Sequence, residues 1–187
     1  MNIFVLSQDP VKAAQLQCDK HVVKMIVESA QMLSTTHRLL DGTMELVPSK
    51  SGKRMVKYFK LPDERENLFY KNVHETHPCT LWTMKNSMNY FWHYEHFIAL
   101  CDEYTYRYGK IHSTDTLLRE PLKRLPNNIS LFGNQTEHPL AMKANPECMM
   151  DDVVESYRAF YQTKQDRFKM VWSKRSVPEW FEVRKAA

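Results

Sequence analysis

The chain has 187 residues, 43% of them hydrophobic, enough for one domain with a single sizeable core, and its formal net charge of +4 leaves it only mildly basic. No segment reaches the roughly 18 apolar residues that span a bilayer, and the opening MNIFVLSQDP has neither a basic leader nor a long apolar run, so a soluble cytoplasmic protein with no membrane partner is expected. Cys18, Cys79, Cys101 and Cys148 form no CxxC pair and read as reduced, buried thiols.

Only four glycines and no internal repeat predict a mainly α fold: one compact helical domain over 1–187 with a short N-terminal extended segment and long loops. MNIFVL is the extended segment. Asp9-Pro10 then starts a helix with proline in its first turn, and the pattern runs to about Leu40, ending at Asp41-Gly42. Residues 43–62 predict a surface loop or a short hairpin of MELV and MVKYFKL. Asp63 caps a short helix to about His74, and HPC leads into a long aromatic helix from about Thr80 to Tyr108, stopped by Gly109. A short helix over about Asp115 to Arg124 and the loop PNNISLFGNQTEHP precede a last helix from about Asp151 to Trp172. The segment VPEWF closes the chain, its aromatics docking on the body.

Two of these helices carry polar stripes. In the first, Gln17, His21, Lys24, Glu28, Gln31 and Thr35 recur at spacings of 4 and 3, which confines them to a wedge of about 80° at about 100° per residue. The rest of the circumference is largely apolar, from Val22 to Leu33, so the helix should be mostly buried and its stripe in need of partners. In the aromatic helix Asn86, Asn89, His93 and His96 form a second narrow wedge that also holds Trp82. We expect the two stripes to face a common cleft, with Glu28, Lys24 and His21 on one wall. The alternatives are a buried hydrogen-bond network between two core helices, or two stripes facing solvent separately.

A carboxylate among His and Lys suits acid/base or electrostatic catalysis, which makes Glu28 the leading candidate; Lys24, one turn away, can pair with it, act as an amine nucleophile or contact a phosphate. The basic run SKSGKRMVKYFK, with Lys53 and Arg54, and a second group at Lys164, Arg167, Lys169, Lys174 and Arg175 can track a phosphate backbone. The pairs His93/His96 and His74/His77 have a spacing that metals use. Without HExxH or CxxC, neither a metal site nor another cofactor is expected.

The stretch KHVVKMIVESAQML resembles, position for position, the first helical motif of the pyrimidine-dimer DNA glycosylase family of phages and bacteria. The block HPCTLWTMKNSMNYFWHYEHFIALCDEYTYRYGK is similar to that family's His-Pro opening, long helix and acidic-aromatic ending before a glycine. The resemblance implies a DNA glycosylase that excises a damaged or modified base from double-stranded DNA, with Glu28 as the catalytic acid. His21 and Lys24 fall where the family binds damaged DNA. Family members attack C1′ with an N-terminal α-amine, exposed by removing Met before a small residue, and form a Schiff base. Here Met1 precedes Asn2, so the amine is that of Met1 itself, or Lys24 or Lys20 substitutes, or no lyase step occurs.

The expected site is therefore Glu28, Lys24, His21 and Met1 for catalysis, with Lys20, Gln31, Asn86, Asn89, His93, His96, Trp82, Lys53 and Arg54 for DNA, in a monomer. Two other classes stay open. One is an enzyme that modifies or transfers a group onto a base in nucleic acid or a nucleotide; the other is a non-catalytic nucleic-acid-binding accessory protein in which Glu28 buttresses Lys24.

Overall fold

Two long helices, α2 (Asp19–Asp41) and α5 (Ser87–Tyr108), pack against each other and carry the architecture of the computed structural model, which describes residues 1–184. Around them lie α1 (Pro10–Gln15), α3 (Arg65–Leu68), α4 (Pro78–Thr83), α6 (Ser113–Leu118) and α7 (Val153–Gln162), with short 3-10 turns at Pro121–Lys123, Pro146–Cys148 and Thr163–Asp166. The described residues form a mainly helical fold around one hydrophobic core, and no helix among them is long and apolar enough to cross a membrane. All four cysteines are buried and unpaired.

The only sheet among the described residues is an antiparallel hairpin, β1 (Thr43–Pro48) with β2 (Met55–Lys60), in the register Thr43 to Lys60 through Pro48 to Met55. This is the hairpin alternative of the sequence reading. Lys53 and Arg54 sit exposed in its tip. Gly42 links α2 to the hairpin and has to be glycine, because a Cβ there would lie 2.5 Å from the Arg38 carbonyl oxygen.

The N-terminal segment is buried from Asn2 to Leu6 but pairs with no strand. Side chains take over its backbone groups instead: the Trp92 indole donates to the Gln8 carbonyl and the Arg158 guanidinium to the Leu6 carbonyl.

Four predicted helices are shorter than the hydrophobic pattern suggests, the first three for a tertiary reason. The first splits at residues 16–18, where the Cys18 N–H donates to the Tyr161 hydroxyl rather than to a helical carbonyl. The aromatic helix splits at residues 84–86, where Asn86 is extended and its side chain caps α5 by accepting the Asn89 N–H at 2.9 Å. The helix expected from Asp63 to His74 is a single turn, because Arg38 of α2 reaches into the chain beyond it. The Arg38 guanidinium donates to the carbonyls of Phe59, Glu66, Phe69 and Tyr70 and to the Glu66 carboxylate at 2.7 Å, so those carbonyls no longer serve a helix. The last helix ends at Gln162, ten residues before Trp172. Gly109, in the left-handed conformation at φ 65°, closes α5 as expected. Trp180 and Phe181 pack near Tyr161 and Trp172, so the closing aromatics dock on the body.

Arg38 is fully buried and satisfies five acceptors. Arg38→Ala strands the Glu66 carboxylate and is expected to cost about 3–5 kcal/mol in urea denaturation. Arg38→Lys should restore little of it, because an ammonium lacks the planar fork. A loss below about 1 kcal/mol for the alanine variant, the size of an ordinary surface ion pair, would contradict this account.

Candidate active site

One polar cavity of about 690 Å³ opens beside the N-terminal half of α2. Its walls come from three parts of the chain: the N-terminus (Met1, Asn2, Phe4), α2 (Lys20, His21, Lys24, Met25, Glu28), and the α7 region (Phe160, Lys164, Arg167, Phe168), with Ala141 beside them. The volume is in the range that holds a nucleotide-sized ligand. One carboxylate, Glu28, lines this cavity, together with the cationic groups of Met1, Lys20, Lys24, Lys164 and Arg167.

Glu28 projects from the middle of α2 with its side chain 13% exposed, and both carboxylate oxygens are occupied. Oε1 lies 3.2 Å from the Lys24 ammonium one turn earlier, an i to i+4 pair whose lysine is 66% exposed and therefore free to move. Oε2 accepts the Asn2 backbone N–H at 3.1 Å and lies 3.6 Å from the Met1 α-amino group. The chain start is held there by the Asn2 side chain, which donates to the Ala141 carbonyl at 3.0 Å and accepts from the Tyr157 hydroxyl at 3.1 Å. Asn2 is thus a clamp, buried at 6% exposure, that aims the backbone amine at the carboxylate.

His21 is held by aromatic neighbours. Its ring stacks on Phe4 at 4.7 Å and meets Phe168 edge-on, while Nδ1 lies 2.7 Å from the Tyr161 hydroxyl. That hydroxyl also accepts the Cys18 N–H, and the donor and acceptor roles between it and Nδ1 follow the His21 tautomer. Burial, reinforced by the Lys164 and Lys24 charges, pulls the imidazole down to about 3, so His21 is neutral at physiological pH. It carries no charge in the cavity.

The opposite wall is cationic and aromatic. The Lys164 ammonium sits 3.2 Å from the centre of the Phe160 ring, and the Lys20 ammonium 4.8 Å from that of Phe168. Lys164 and Arg167 belonged to the second basic group of the sequence, whereas Lys174 and Arg175 are engaged elsewhere, with the Tyr106 carbonyl and with Glu103.

The structure therefore gathers Glu28, Lys24, His21, Met1 and Lys20 around one cavity. It does not bring the Asn/His stripe to them. The expectation of a cleft shared by the two stripes is corrected: the second stripe forms an internal seam. Asn86 caps α5 and donates to the Asn134 carbonyl, and Asn89 is bonded to the Trp82 carbonyl and to both backbone and side chain of Thr136. His93 bonds the Thr83 hydroxyl, His96 bonds Gln17 and the Pro10 carbonyl, and the Trp82 indole donates to the Thr136 carbonyl while its ring stacks on His138. None of the five lines the cavity. Gln31 is half-buried one turn beyond Glu28 and also lies outside its lining, as do Lys53 and Arg54. Among the described residues no group of three or more His, Cys, Asp or Glu is placed to hold a metal ion.

Asn2, Phe4, Phe160, Lys164, Arg167 and Phe168 were not among the expected site residues. The cation cluster was a signal for two of them, and the other four carry no pattern that separates them from core. Comparison of the chain with protein-family models, with curated proteins and with solved structures finds no match.

Proposed function

We infer that the cavity is a base-excision site acting on double-stranded DNA that carries a damaged or modified base. What supports this most directly is the meeting of one inward carboxylate, a backbone amine 3.6 Å from it and a cationic rim in a nucleotide-sized cavity. The resemblance of the α2 motif to the pyrimidine-dimer glycosylases points the same way.

The chemistry follows from charge. Breaking an N-glycosidic bond leaves positive charge on the sugar, and a carboxylate placed beneath it stabilises that charge or draws a proton from the attacking nucleophile. Glu28 takes this role. Lys20, Lys24 and Arg167 hold the phosphates flanking an extruded nucleotide, the neutral His21 imidazole hydrogen-bonds the base or sugar, and Phe4 and Phe168 offer apolar ring surface to the base. The Met1 α-amine, next to the carboxylate that can accept its proton, is placed to add to C1′ and open a lyase path.

The test is direct. The protein is incubated with duplexes carrying a panel of modified bases, and released free base is measured by chromatography. Release from at least one duplex is expected, and absence of release from all of them together with absence of duplex binding would end the proposal. Duplex affinity should fall as salt rises, and Arg167→Gln should flatten the slope of log K against log salt by about 0.9, the contribution of one phosphate contact.

A further inference from the structure

Of the amines around the cavity, Lys164 differs from the rest in being buried without an acid partner. The Met1 amine and Lys24 both lie against Glu28, and Lys20 is exposed. Lys164 is only 8% exposed, comes from the turn after α7, and makes no ion pair or side-chain hydrogen bond among the described residues; its head rests on the Phe160 ring. The groups that face it are Lys24 and the neutral His21 from α2, Arg167 from its own turn, and the Cys148 thiol from the Pro146–Cys148 turn.

We propose that Lys164 is a carbonyl-reactive amine of this cavity, condensing with the aldehyde of a phosphate-bearing sugar such as the ring-opened C1′ of an abasic deoxyribose. As applied to DNA this rests on the base-excision reading. The Nζ lone pair forms a C–N bond to the carbonyl carbon, and the Nζ proton passes to the carbonyl oxygen. The resulting carbinolamine takes up one proton and expels water, leaving a protonated imine; nothing is oxidised or reduced. Burial, with Arg167 nearby, pulls the ammonium down to about 8; the Cys148 thiol opposes this and Lys24 adds a smaller push in the same direction as burial. An exposed lysine titrates near about 10.4, so at pH 7.5 Lys164 offers on the order of 100-fold more free amine. The cations that depress it also attract the phosphate of the aldehyde.

Two probes separate this proposal from the reading beneath it. Pyridoxal 5′-phosphate followed by borohydride, on the full chain at pH 7.5, is expected to reduce onto Lys164 ahead of the other lysines. The labelling rate should be half-maximal near pH 8, and Lys164→Arg, which keeps the charge but not the nucleophile, should lose that label. Borohydride trapping on an abasic duplex, with peptide mapping, is expected to place the DNA adduct on Lys164. Pyridoxal labelling of Lys164 without any abasic adduct would keep the reactive amine and overturn its application to DNA, whereas the base-excision reading falls only if no modified duplex releases free base. An abasic adduct confined to the Met1 amine or Lys24, with Lys164 unlabelled by pyridoxal phosphate, would keep base excision and overturn this proposal. Labelling spread over the surface lysines according to exposure would overturn it as well.

Discussion

Glu28→Gln is expected to lower base excision by about 10²–10⁴-fold, the usual contribution of a positioned acid or base, while duplex affinity stays the same or rises. The substitution is nearly isosteric: the amide oxygen can still accept the Asn2 N–H, so the chain start stays anchored through Ala141 and Tyr157. What disappears is the one negative charge of the cavity. A more cationic cavity binds a polyanion at least as well, so a loss of turnover with retained binding isolates the chemical step. The fold should be little affected, since the Lys24 partner is two-thirds exposed and such pairs contribute about 0–1 kcal/mol. Single-turnover release of free base and fluorescence anisotropy on the same duplex supply the two numbers. Unchanged release by the variant would remove Glu28 from catalysis and favour the accessory role, in which it merely buttresses Lys24.

Mild acid is expected to unfold the protein. Burial pulls the imidazoles of His21, His37 and His138 down to about 3 and that of His96 to about 4, and holds that of His93 well below its usual value. His37 shows why protonation is resisted. Arg65 donates to its Nδ1 at 3.2 Å, Nε2 donates to the Tyr90 hydroxyl at 2.8 Å, and that hydroxyl donates onward to the Leu122 carbonyl, so a proton added at Nδ1 would meet a guanidinium N–H. The sign follows from linkage. The folded pKa values lie below the unfolded value near 6.5, so between pH 6.5 and about 3 the unfolded chain binds more protons and stability falls as pH falls. The stabilisation is fully present above pH 6.5. Each such histidine withdraws about 2 kcal/mol by pH 5, and several together approach the total of roughly 5–15 kcal/mol that holds a domain folded. Urea titrations followed by circular dichroism at pH 7.5, 6 and 5 should show the midpoint dropping steeply. An unchanged midpoint at pH 5 would mean that these imidazoles are not held neutral.

Two members of the Asn/His stripe that the periodicity singles out as a binding wall, His93 and His96, are among the buried imidazoles that make the protein acid-sensitive. Spacing shows that Asn86, Asn89, His93 and His96 share one face of a helix, but not whether that face meets ligand or protein. Here it meets α4, α1 and the irregular segment after Gly133, whose carbonyls and hydroxyls bond each of its side chains, leaving the buried His93 Nε2 without a partner. The Asn86 side chain also carried a local meaning, a helix cap, that competes with any role in reading a base. Lys164 and Arg167 were legible as cations, but their meeting with Glu28 depends on the chain reversing after α7.

What the sequence by itself determined is local and periodic: a mainly helical chain, a loop or short hairpin over residues 43–62, glycine stops after α2 and α5, and an apolar α2 interrupted by one polar stripe centred on Glu28. These follow from propensity, turn chemistry and the 3.6-residue period, which act over a few residues. Only the tertiary structure decided where the helices break, which stripe faces a cavity, and that the chain start and the turn after α7 complete the site. Those outcomes turn on contacts between residues far apart in the chain, Cys18 with Tyr161, Arg38 with Phe69 and Met1 with Glu28, in which a distant partner takes a hydrogen bond or charge that the local pattern would have assigned to a neighbour.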